Sequence, residues 1–234
     1  MSLYAIGDLH LSLSEDVDKP MDAFGPLWDN HIARLEANWR EMITDEDTVI
    51  IPGDISWGLK FSEAEPDLQW IDSLPGKKVI FKGNHDLWWA GINRLNTLYD
   101  SITFVQNKAY YAEGVYFCGT RGWTTPDSDE FKEEDEKIYK RELLRLQASL
   151  DDAVAQMEER PGKIMGVLHF PPVVKVLSFS GFQQLFADYG VEEVIYGHVH
   201  GEDGFRNTIK GNYHGVNYSL VSCDYLRCRP IQIG

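Results

Sequence analysis

Five short polar blocks follow five apolar runs of strand length, and this pattern constrains the fold of the 234-residue chain more than any other feature. The runs cover residues 3–6, 48–51, 78–81, 164–168 and 194–196, and each contains isoleucine beside other strand-forming residues. The blocks that follow them are Gly7-Asp8-Leu9-His10, Gly53-Asp54, Gly83-Asn84-His85-Asp86, His169-Phe170-Pro171-Pro172 and Gly197-His198-Val199-His200. Because α/β sheets place ligand sites at the carboxyl ends of their strands, the pattern predicts a functional site at a sheet edge.

The segments between these runs have the periodicity of amphipathic helices. Apolar side chains recur at helical spacing in residues 32–42, 68–74 and 87–99, and a further helix is predicted around residues 182–189. Residues 109–118 predict a hairpin around Glu113-Gly114, and residues 217–223 are β-like. Since no repeat, linker or composition shift marks a boundary, the alternation predicts one layered α/β domain over residues 1–234.

The most charged stretch, residues 127–145, has the composition of an acidic tail but the periodicity of a helix. Six apolar side chains recur on one helical face: Tyr139, Leu143, Leu146, Leu150, Val154 and Met157. Acidic residues crowd the first turns, where the helix dipole favours them, and Pro161-Gly162 ends the pattern. We therefore expect a long surface helix at about residues 130–160 with one buried stripe.

Composition excludes several classes of function. With 37 acidic and 22 basic side chains the net charge is -15, which repels a nucleic-acid backbone, so no non-specific nucleic-acid binding is expected. No run of about 18 apolar residues is available for a membrane span. The first residues lack the features of a secretory signal, and three cysteines are too few for a disulfide framework, so we expect a cytoplasmic protein. The sequence indicates no oligomeric state.

The side chains of the polar blocks form a set of metal donors. Five of the seven histidines lie in the blocks, together with aspartate and asparagine, and this oxygen and imidazole set suits Mn, Fe or Zn. Taken singly, each block has an ordinary structural interpretation as a turn, a helix cap or a core histidine. Because five such coincidences in one order are improbable, the ensemble predicts a metal site.

The order, spacing and strand context of the five blocks resemble the calcineurin-like metallophosphoesterase superfamily, in its bacterial phosphohydrolase form, over residues 8–200. The resemblance implies an α/β fold, a four-layer αββα sandwich of two mixed β-sheets flanked by helices. It also implies two divalent metal ions (Mn, Fe or Zn) at the carboxyl-terminal edge of the strands. The implied ligands are Asp8, His10 and His200 for the first ion, Asn84, His169 and His198 for the second, and Asp54 as the bridge between them.

The resemblance also assigns catalytic roles within the third block. It implies that His85 faces the substrate and stabilises the transition state or protonates the departing oxygen. Asp86 is expected to hold the imidazole of His85 in one tautomer and to favour its protonated form. The implied reaction is hydrolysis of a phosphomonoester or phosphodiester by in-line attack of a metal-bound hydroxide on a small phosphorylated substrate.

Two departures from the protein-phosphatase pattern narrow the subfamily. Protein phosphatases of the superfamily have Arg before Gly-Asn-His and Glu after it, whereas this chain has Lys82 and Asp86, so we do not expect a phosphoprotein phosphatase. Arg121 is a candidate substrate-binding cation, with a salt bridge as its alternative role. Four tryptophans follow the blocks: Trp57, Trp88, Trp89 and Trp123. They either line a pocket or anchor loops, and anchoring is favoured for Trp88 and Trp89.

Two further alternatives remain at the level of sequence, and two histidines lie outside the blocks. A binding scaffold that has lost catalysis could share these motifs, although a scaffold does not need His85. Cys223 and Arg229 have the Cys-x5-Arg spacing of metal-independent phosphatases, but the five residues between them include no glycine to shape an anion cradle. His31 is expected in solvent, and His214 is a minor candidate for the rim of the metal site.

Overall fold

The computed structural model describes residues 1–175 and 178–234, in which the strands form two sheets. In the described part of the chain the first sheet has five strands, in the order β11-β1-β2-β3-β4. They are β1 (Leu3–Ala5), β2 (Thr48–Ile51), β3 (Lys77–Phe81), β4 (Ile102–Val105) and β11 (Ile231–Ile233). Strands β1 to β4 are parallel, and β11 adds an antiparallel edge beside β1, so the sheet is mixed.

The second sheet has six strands within the same residues, in the order β5-β6-β7-β8-β10-β9. They are β5 (Ala109–Ala112), β6 (Val115–Thr120), β7 (Lys163–Leu168), β8 (Glu193–Tyr196), β9 (Gly211–Tyr213) and β10 (Val216–Leu220). The central four strands are parallel and both edges are antiparallel. The β5–β6 pairing confirms the hairpin predicted around Glu113-Gly114.

Alternation along the strands separates the inner from the outer face of each sheet. In β3, Phe81 faces the other sheet and joins a cluster with Phe117 and Val167, whereas Ile80 faces outward. In β6, Tyr116 faces outward likewise. This period of two is the geometry of a strand buried on both sides, and it produces one core between the sheets and one outside each sheet.

Helices cover both outer faces. Helices α1 (His31–Met42) and α2 (Phe61–Asp72) pack on the first sheet, and α4 (Glu133–Met157) and α5 (Gly181–Asp188) pack on the second. The layers are therefore α, β, β, α, and the predicted four-layer fold is confirmed. Short helices α3 (Ile92–Leu95) and α6 (Gly201–Asn207) lie in the connections.

The helix expected over residues 87–99 is wrong in extent, because only α3 forms there. Before α3, Trp88 is buried and its indole donates a hydrogen bond to Asp86, which holds the segment in turns. After α3, the side chain of Asn96 pairs with both backbone groups of Phe104 and ends the helix. The long helix near residues 130–160 forms as α4 where the periodicity places it.

The structure also bears on the expectations for membrane spans, cysteines and His31. Among the residues that the structure describes, no helix combines the length and apolar character needed to cross a membrane. The three cysteines are free and buried. The expectation that His31 lies in solvent is wrong, because its side chain is buried. Its Nε2 atom lies 3.2 Å from the carbonyl oxygen of Leu9 in the first polar block.

A buried carboxylate links α4 to the second sheet. Glu142 is fully buried and accepts a hydrogen bond from the hydroxyl of Thr120, at the end of β6. Three partly exposed guanidinium groups surround the same carboxylate: Arg145 at 2.9 Å, Arg141 at 3.4 Å and Arg121 at 3.6 Å. These contacts fix the helix against the strand end at one defined position.

Glu142→Gln should therefore reduce the free energy of unfolding by about 2 kcal/mol, because three guanidinium groups lose their shared counter-charge while the hydroxyl partner remains. Denaturant unfolding measures this loss. Glu136→Gln, on the same helix, removes an exposed pair with Lys140 and should cause no resolvable change. Equal stabilities of the two variants would show that Glu142 carries no anchoring role.

Candidate metal centre

The polar blocks meet because the two sheets are joined at one edge. Gly7 forms a parallel bridge with Ser222, which follows β10, and its N–H donates to the carbonyl oxygen of Val221 at 2.7 Å. His169 at the end of β7 places Nδ1 3.0 Å from the carbonyl oxygen of Pro52, just beyond β2. These cross-sheet contacts bring the carboxyl ends of strands from both sheets to one place.

One group of ligand atoms gathers around Asn84. Its Oδ1 atom lies 2.6 Å from Nε2 of His169 and 2.9 Å from Nδ1 of His198, and these two nitrogens are 3.3 Å apart. Asp54 places Oδ2 3.3 Å from Nε2 of His169. Four donor atoms from four polar blocks therefore converge, as a cation site requires.

A second group gathers around His200. Its Nε2 atom lies 3.3 Å from Nε2 of His10 and 3.6 Å from Oδ1 of Asp8. Asp54 connects the two groups, since its Oδ2 atom is also 3.9 Å from Nε2 of His10. All seven side chains expected as ligands are thus brought together, with Asp54 between the groups.

The donor atoms fit divalent cations. In each of the groups Asp8-His10-His200 and Asp54-His169-His198, one ligand atom per residue lies within 4.8 Å of the others. Oδ2 of Asp8 is buried and has no hydrogen-bond partner in the described part of the chain. Because an unpaired buried carboxylate oxygen is costly, a cation is the partner that its chemistry favours.

Backbone strain is concentrated at these residues. Four of the seven expected ligands have positive φ: Asp8 (56°), His10 (45°), Asp54 (53°) and His198 (70°). Left-handed conformations cost energy for residues other than glycine and persist where the surroundings enforce them, commonly at functional sites. Here they turn the side chains out of the strand direction and toward one another.

Two glycines make room for the carboxylates. A Cβ atom on Gly83 would lie 2.1 Å from Oδ1 of Asp54, and one on Gly197 would lie 2.3 Å from Oδ2 of Asp8. Any side chain at either position would displace a carboxylate. The glycine that begins each of these two blocks is therefore explained by close approach rather than by turn geometry.

Burial and mutual charge shift the pKa values of the ligands in opposite directions. Burial raises the pKa of Asp8 to about 6, and burial with the neighbouring His169 lowers that of His198 to about 3. Burial also lowers the pKa of His169, but the adjacent Asp54 and Asp8 outweigh it and raise the value to about 9. His198 therefore has a free lone pair at pH 7, whereas a cation at His169 must displace a proton.

His85 lies beside the group of Asp8, His10 and His200 and is half-buried. Its backbone N–H donates to Oδ1 of Asp54 at 2.8 Å, which fixes its position relative to the expected bridging carboxylate. Its ring centroid is 5.6 Å from that of His10 and 4.3 Å from that of Trp57. Burial lowers the pKa of His85.

Asp86 does not occupy the position expected for a carboxylate that orients His85. Its oxygens accept hydrogen bonds from the backbone N–H groups of Asp54, Ile55 and Gly83 at 2.8–3.0 Å, and from the indole of Trp88 at 3.1 Å. The fully buried carboxylate thus accepts hydrogen bonds from backbone N–H groups at two polar blocks, the one that contains Asp54 and the one that contains Gly83. Its position supports the loop that carries Asp54, which corrects the expectation of direct contact with the imidazole.

Arg121 forms the salt bridge that the sequence left as an alternative. Its guanidinium lies 3.6 Å from Glu142 and 4.5 Å from the ring centroid of Trp123. With Lys82 it lines a separate cavity of about 180 Å³ between the ends of β3 and β6. Contact of Arg121 with substrate stays a prediction.

The tryptophans divide as their surroundings dictate. Trp88 is buried in the core outside the first sheet and Trp89 packs on that core, so both anchor their loop. Trp123 donates a hydrogen bond to Asp135 at 2.8 Å and packs on Phe170. Only Trp57, of these four, lines a cavity with histidines of the centre.

Two features of the centre have no signal in the sequence pattern. Asp224 lies outside the five blocks, yet its Oδ1 atom is 2.9 Å from Nδ1 of His200, the nitrogen that faces away from the other ligands. Trp28 belongs to a short 3-10 helix, Pro26–Trp28, and packs against the rings of His10 and His200. His214 is exposed and contacts Phe179 instead of the centre.

The calcineurin-like phosphoesterase family model matches residues 1–202, and the chain belongs to this family. Among curated proteins, the gene 66 protein of Mycobacterium phage D29 is 36% identical over 104 residues, which are 43% of this chain and 50% of the phage protein. The gene 66 protein of Mycobacterium phage L5 is 40% identical over 58 residues, which are 25% of this chain and 28% of that protein. The matches thus span half or less of the length of these relatives.

Two solved structures are similar over almost the whole chain. Phosphopantetheinyl hydrolase PptH from Mycobacterium tuberculosis has a TM-score of 0.52 and 17% identity, and the match covers 99% of this chain and 95% of that one. A protein of unknown function from Aquifex aeolicus has a TM-score of 0.50, 16% identity and the same coverage. At these identities the likeness shows a common fold.

Asp224→Asn should weaken metal binding about 10–100-fold, because a carboxylate that accepts from the far nitrogen of a ligating imidazole fixes its tautomer and raises its basicity. Titration of EDTA-treated protein with Mn²⁺, followed by electron paramagnetic resonance, measures the affinity.

Asp47→Asn is the matched control, since Asp47 is also a largely buried carboxylate that accepts backbone hydrogen bonds, from Ser2 and Thr44, away from the histidines. It should bind Mn²⁺ as the wild type does. Wild-type affinity in Asp224→Asn, or an equal loss in both variants, would contradict an orienting role for Asp224.

Proposed function

We propose that the protein is a hydrolase of phosphate esters that uses two divalent metal ions. The observation that carries this proposal is the convergence of two donor groups on one carboxylate, Asp54, whose Oδ2 atom lies near His169 of one group and His10 of the other, beside a histidine that belongs to neither group, His85. Membership of the calcineurin-like phosphoesterase family supports the same reaction class. The proposed bonds are phosphomonoesters or phosphodiesters.

Seven side chains would hold the ions: Asp8, His10 and His200 in one group, Asn84, His169 and His198 in the other, and Asp54 in both. When bound, two divalent ions polarise the phosphoryl oxygens and lower the pKa of the attacking water. Asn84 contributes an oxygen without charge, so only two carboxylates offset the ions. The centre would remain cationic and attract a phosphate to a chain whose net charge is -15.

His85 is proposed to give a proton to the leaving oxygen. Burial lowers its pKa in the free protein, and the negative charge of a bound phosphate would raise it. Its imidazole is in contact with the ring of Trp57 and has no side-chain hydrogen bond within the described residues, so it is free to meet a substrate. The backbone hydrogen bond to Asp54 holds it beside the carboxylate that is proposed to bridge the ions. A catalytically inactive scaffold would have no use for such a group, which favours the enzyme.

In the proposed reaction the attacking oxygen and the leaving oxygen lie on opposite sides of phosphorus, so the proton donor and the attacking water approach phosphorus from opposite directions. His85 is the candidate donor because it belongs to neither ligand group and its ring lines the cavity beside Trp57. Asp86 would act indirectly, because its carboxylate accepts hydrogen bonds from the backbone N–H groups of Asp54 and Ile55.

Metal reconstitution tests the activity. Metal-free protein is supplied in turn with Mn, Fe, Zn or Co and assayed on p-nitrophenyl phosphate and bis-p-nitrophenyl phosphate. We expect turnover of at least one ester with at least one metal, and background rates for Asp54→Asn, which weakens both groups. Background rates of the wild type with every metal would refute the proposed activity.

His85→Asn should retain both metals and the fold but lose about 10²–10⁴ in rate, because asparagine can donate a hydrogen bond but cannot release a proton. The loss should be larger for phenyl phosphate than for p-nitrophenyl phosphate, whose leaving group needs less protonation. Steady-state rates and metal analysis of the purified variant measure both effects.

His214→Asn serves as the control, since His214 is exposed on the turn between β9 and β10, and it should leave both rates unchanged. Loss of metal from His85→Asn would identify His85 as a ligand. Equal losses on the two esters would remove the acid role.

A further inference from the structure

An aromatic cavity opens beside the candidate metal centre. It has a volume of about 380 Å³. One wall is formed by three histidines of the site, His10, His85 and His200. The adjoining part of the lining, which we call the aromatic wall, consists of Met21, Phe24, Trp28 and Trp57. None of the described residues that line the cavity carries a carboxylate, so its surface is apolar away from the imidazoles.

The aromatic wall touches the three histidines of the cavity directly. The indole of Trp57 stacks on the ring of His10 at 4.8 Å between centroids, and it lies 4.3 Å from that of His85. Trp28 packs at 5.7 Å from His10 and 5.5 Å from His200. A group seated against this wall is therefore also next to the imidazole that is proposed to release a proton.

The wall is held in place by contacts of its own. The indole N–H of Trp57 donates to the sulfur of Met21 at 3.2 Å, and the ammonium group of Lys19 lies 5.0 Å from the centroid of the same ring. Met21 and Trp28 are buried. They belong to two consecutive 3-10 helices, Met21–Phe24 and Pro26–Trp28, that turn about Gly25.

Phe24 stands out in this wall because the fold makes no use of it. Its side chain is 61% exposed while its neighbours in the wall are buried or half-buried. Because Phe24 lines the cavity as well as being exposed, its ring is available to a ligand that enters there. Its ring can cover a group that enters between it and the histidines.

We infer that the aromatic cavity binds the leaving group of the phosphate ester and that this group contains a flat aromatic ring. The leaving group is assigned because His85, the proposed proton donor, forms part of the same cavity. A ring is assigned because indole, phenyl and thioether surfaces make directional contacts with aromatic groups that they do not make with small alkyl groups. The inference rests on the proposed function for the reaction but not for the binding.

Two phosphonates test the binding without turnover, since the C–P bond is not hydrolysed. Isothermal titration of Mn-loaded protein compares phenylphosphonate with methylphosphonate, which share the anionic group and differ in the ring. We expect the phenyl compound to bind about tenfold more tightly. Equal affinities, or no binding of either compound, would overturn the inference.

Three variants locate the effect. Phe24→Ala should reduce the preference for the phenyl compound to about threefold or less, and Phe24→Tyr, which keeps the ring, should retain it. Leu144→Ala removes an apolar side chain of similar exposure, 67%, on α4 and should retain the full preference. An unchanged preference in Phe24→Ala, or an equal loss in Leu144→Ala, would also overturn the inference.

Turnover of p-nitrophenyl phosphate by the same preparations separates this inference from the proposed function. Hydrolysis together with equal affinities for the two phosphonates would leave the activity standing and remove the aromatic site. A tenfold preference together with background hydrolysis would support the aromatic site and remove the activity.

Discussion

The buried carboxylates of Asp8 and Asp54 impose the main constraint on this structure. Both lie where the two sheets meet, nearly without contact with water, and two such charges in one small volume require compensation. His169, between them, supplies part of it, because Asp54 and Asp8 raise its pKa to about 9 against the effect of burial. Divalent ions would complete it, and the other ligands are arranged around the same two groups.

Much of the surrounding backbone is shaped by these carboxylates. The left-handed conformations of Asp8, His10, Asp54 and His198 turn side chains from separate strands toward one point. Asp86 offsets part of the cost, because its carboxylate binds the backbone N–H groups of the loop that carries Asp54. A residue expected to act on an imidazole thus supports a ligand-bearing loop, and the imidazole of His85 is left to contact Trp57 and the cavity.

The two walls of the aromatic cavity have different origins. The histidine wall comes from polar blocks at strand ends, which a regular sheet aligns. The aromatic wall comes largely from the segment around Met21 and Trp28, which has 3-10 turns and no amphipathic period. The proposed reaction chemistry and the proposed leaving-group preference would therefore lie largely on separate parts of the chain, so that changes in one segment would alter the preference while the candidate metal ligands stay in place.

The sequence by itself determined the sheet strands that carry the site, the long helix α4 and the identity of the side chains gathered there, because apolar period and strand-end polar blocks are local signals. Only the tertiary structure decided which side chains contact one another. Asp224 and Trp28 reach His200 from positions remote in sequence, Arg121 is held by Glu142, and Asp86 bonds to backbone amides rather than to its neighbour His85. Such pairings depend on the packing of the two sheets against each other, which no local pattern encodes.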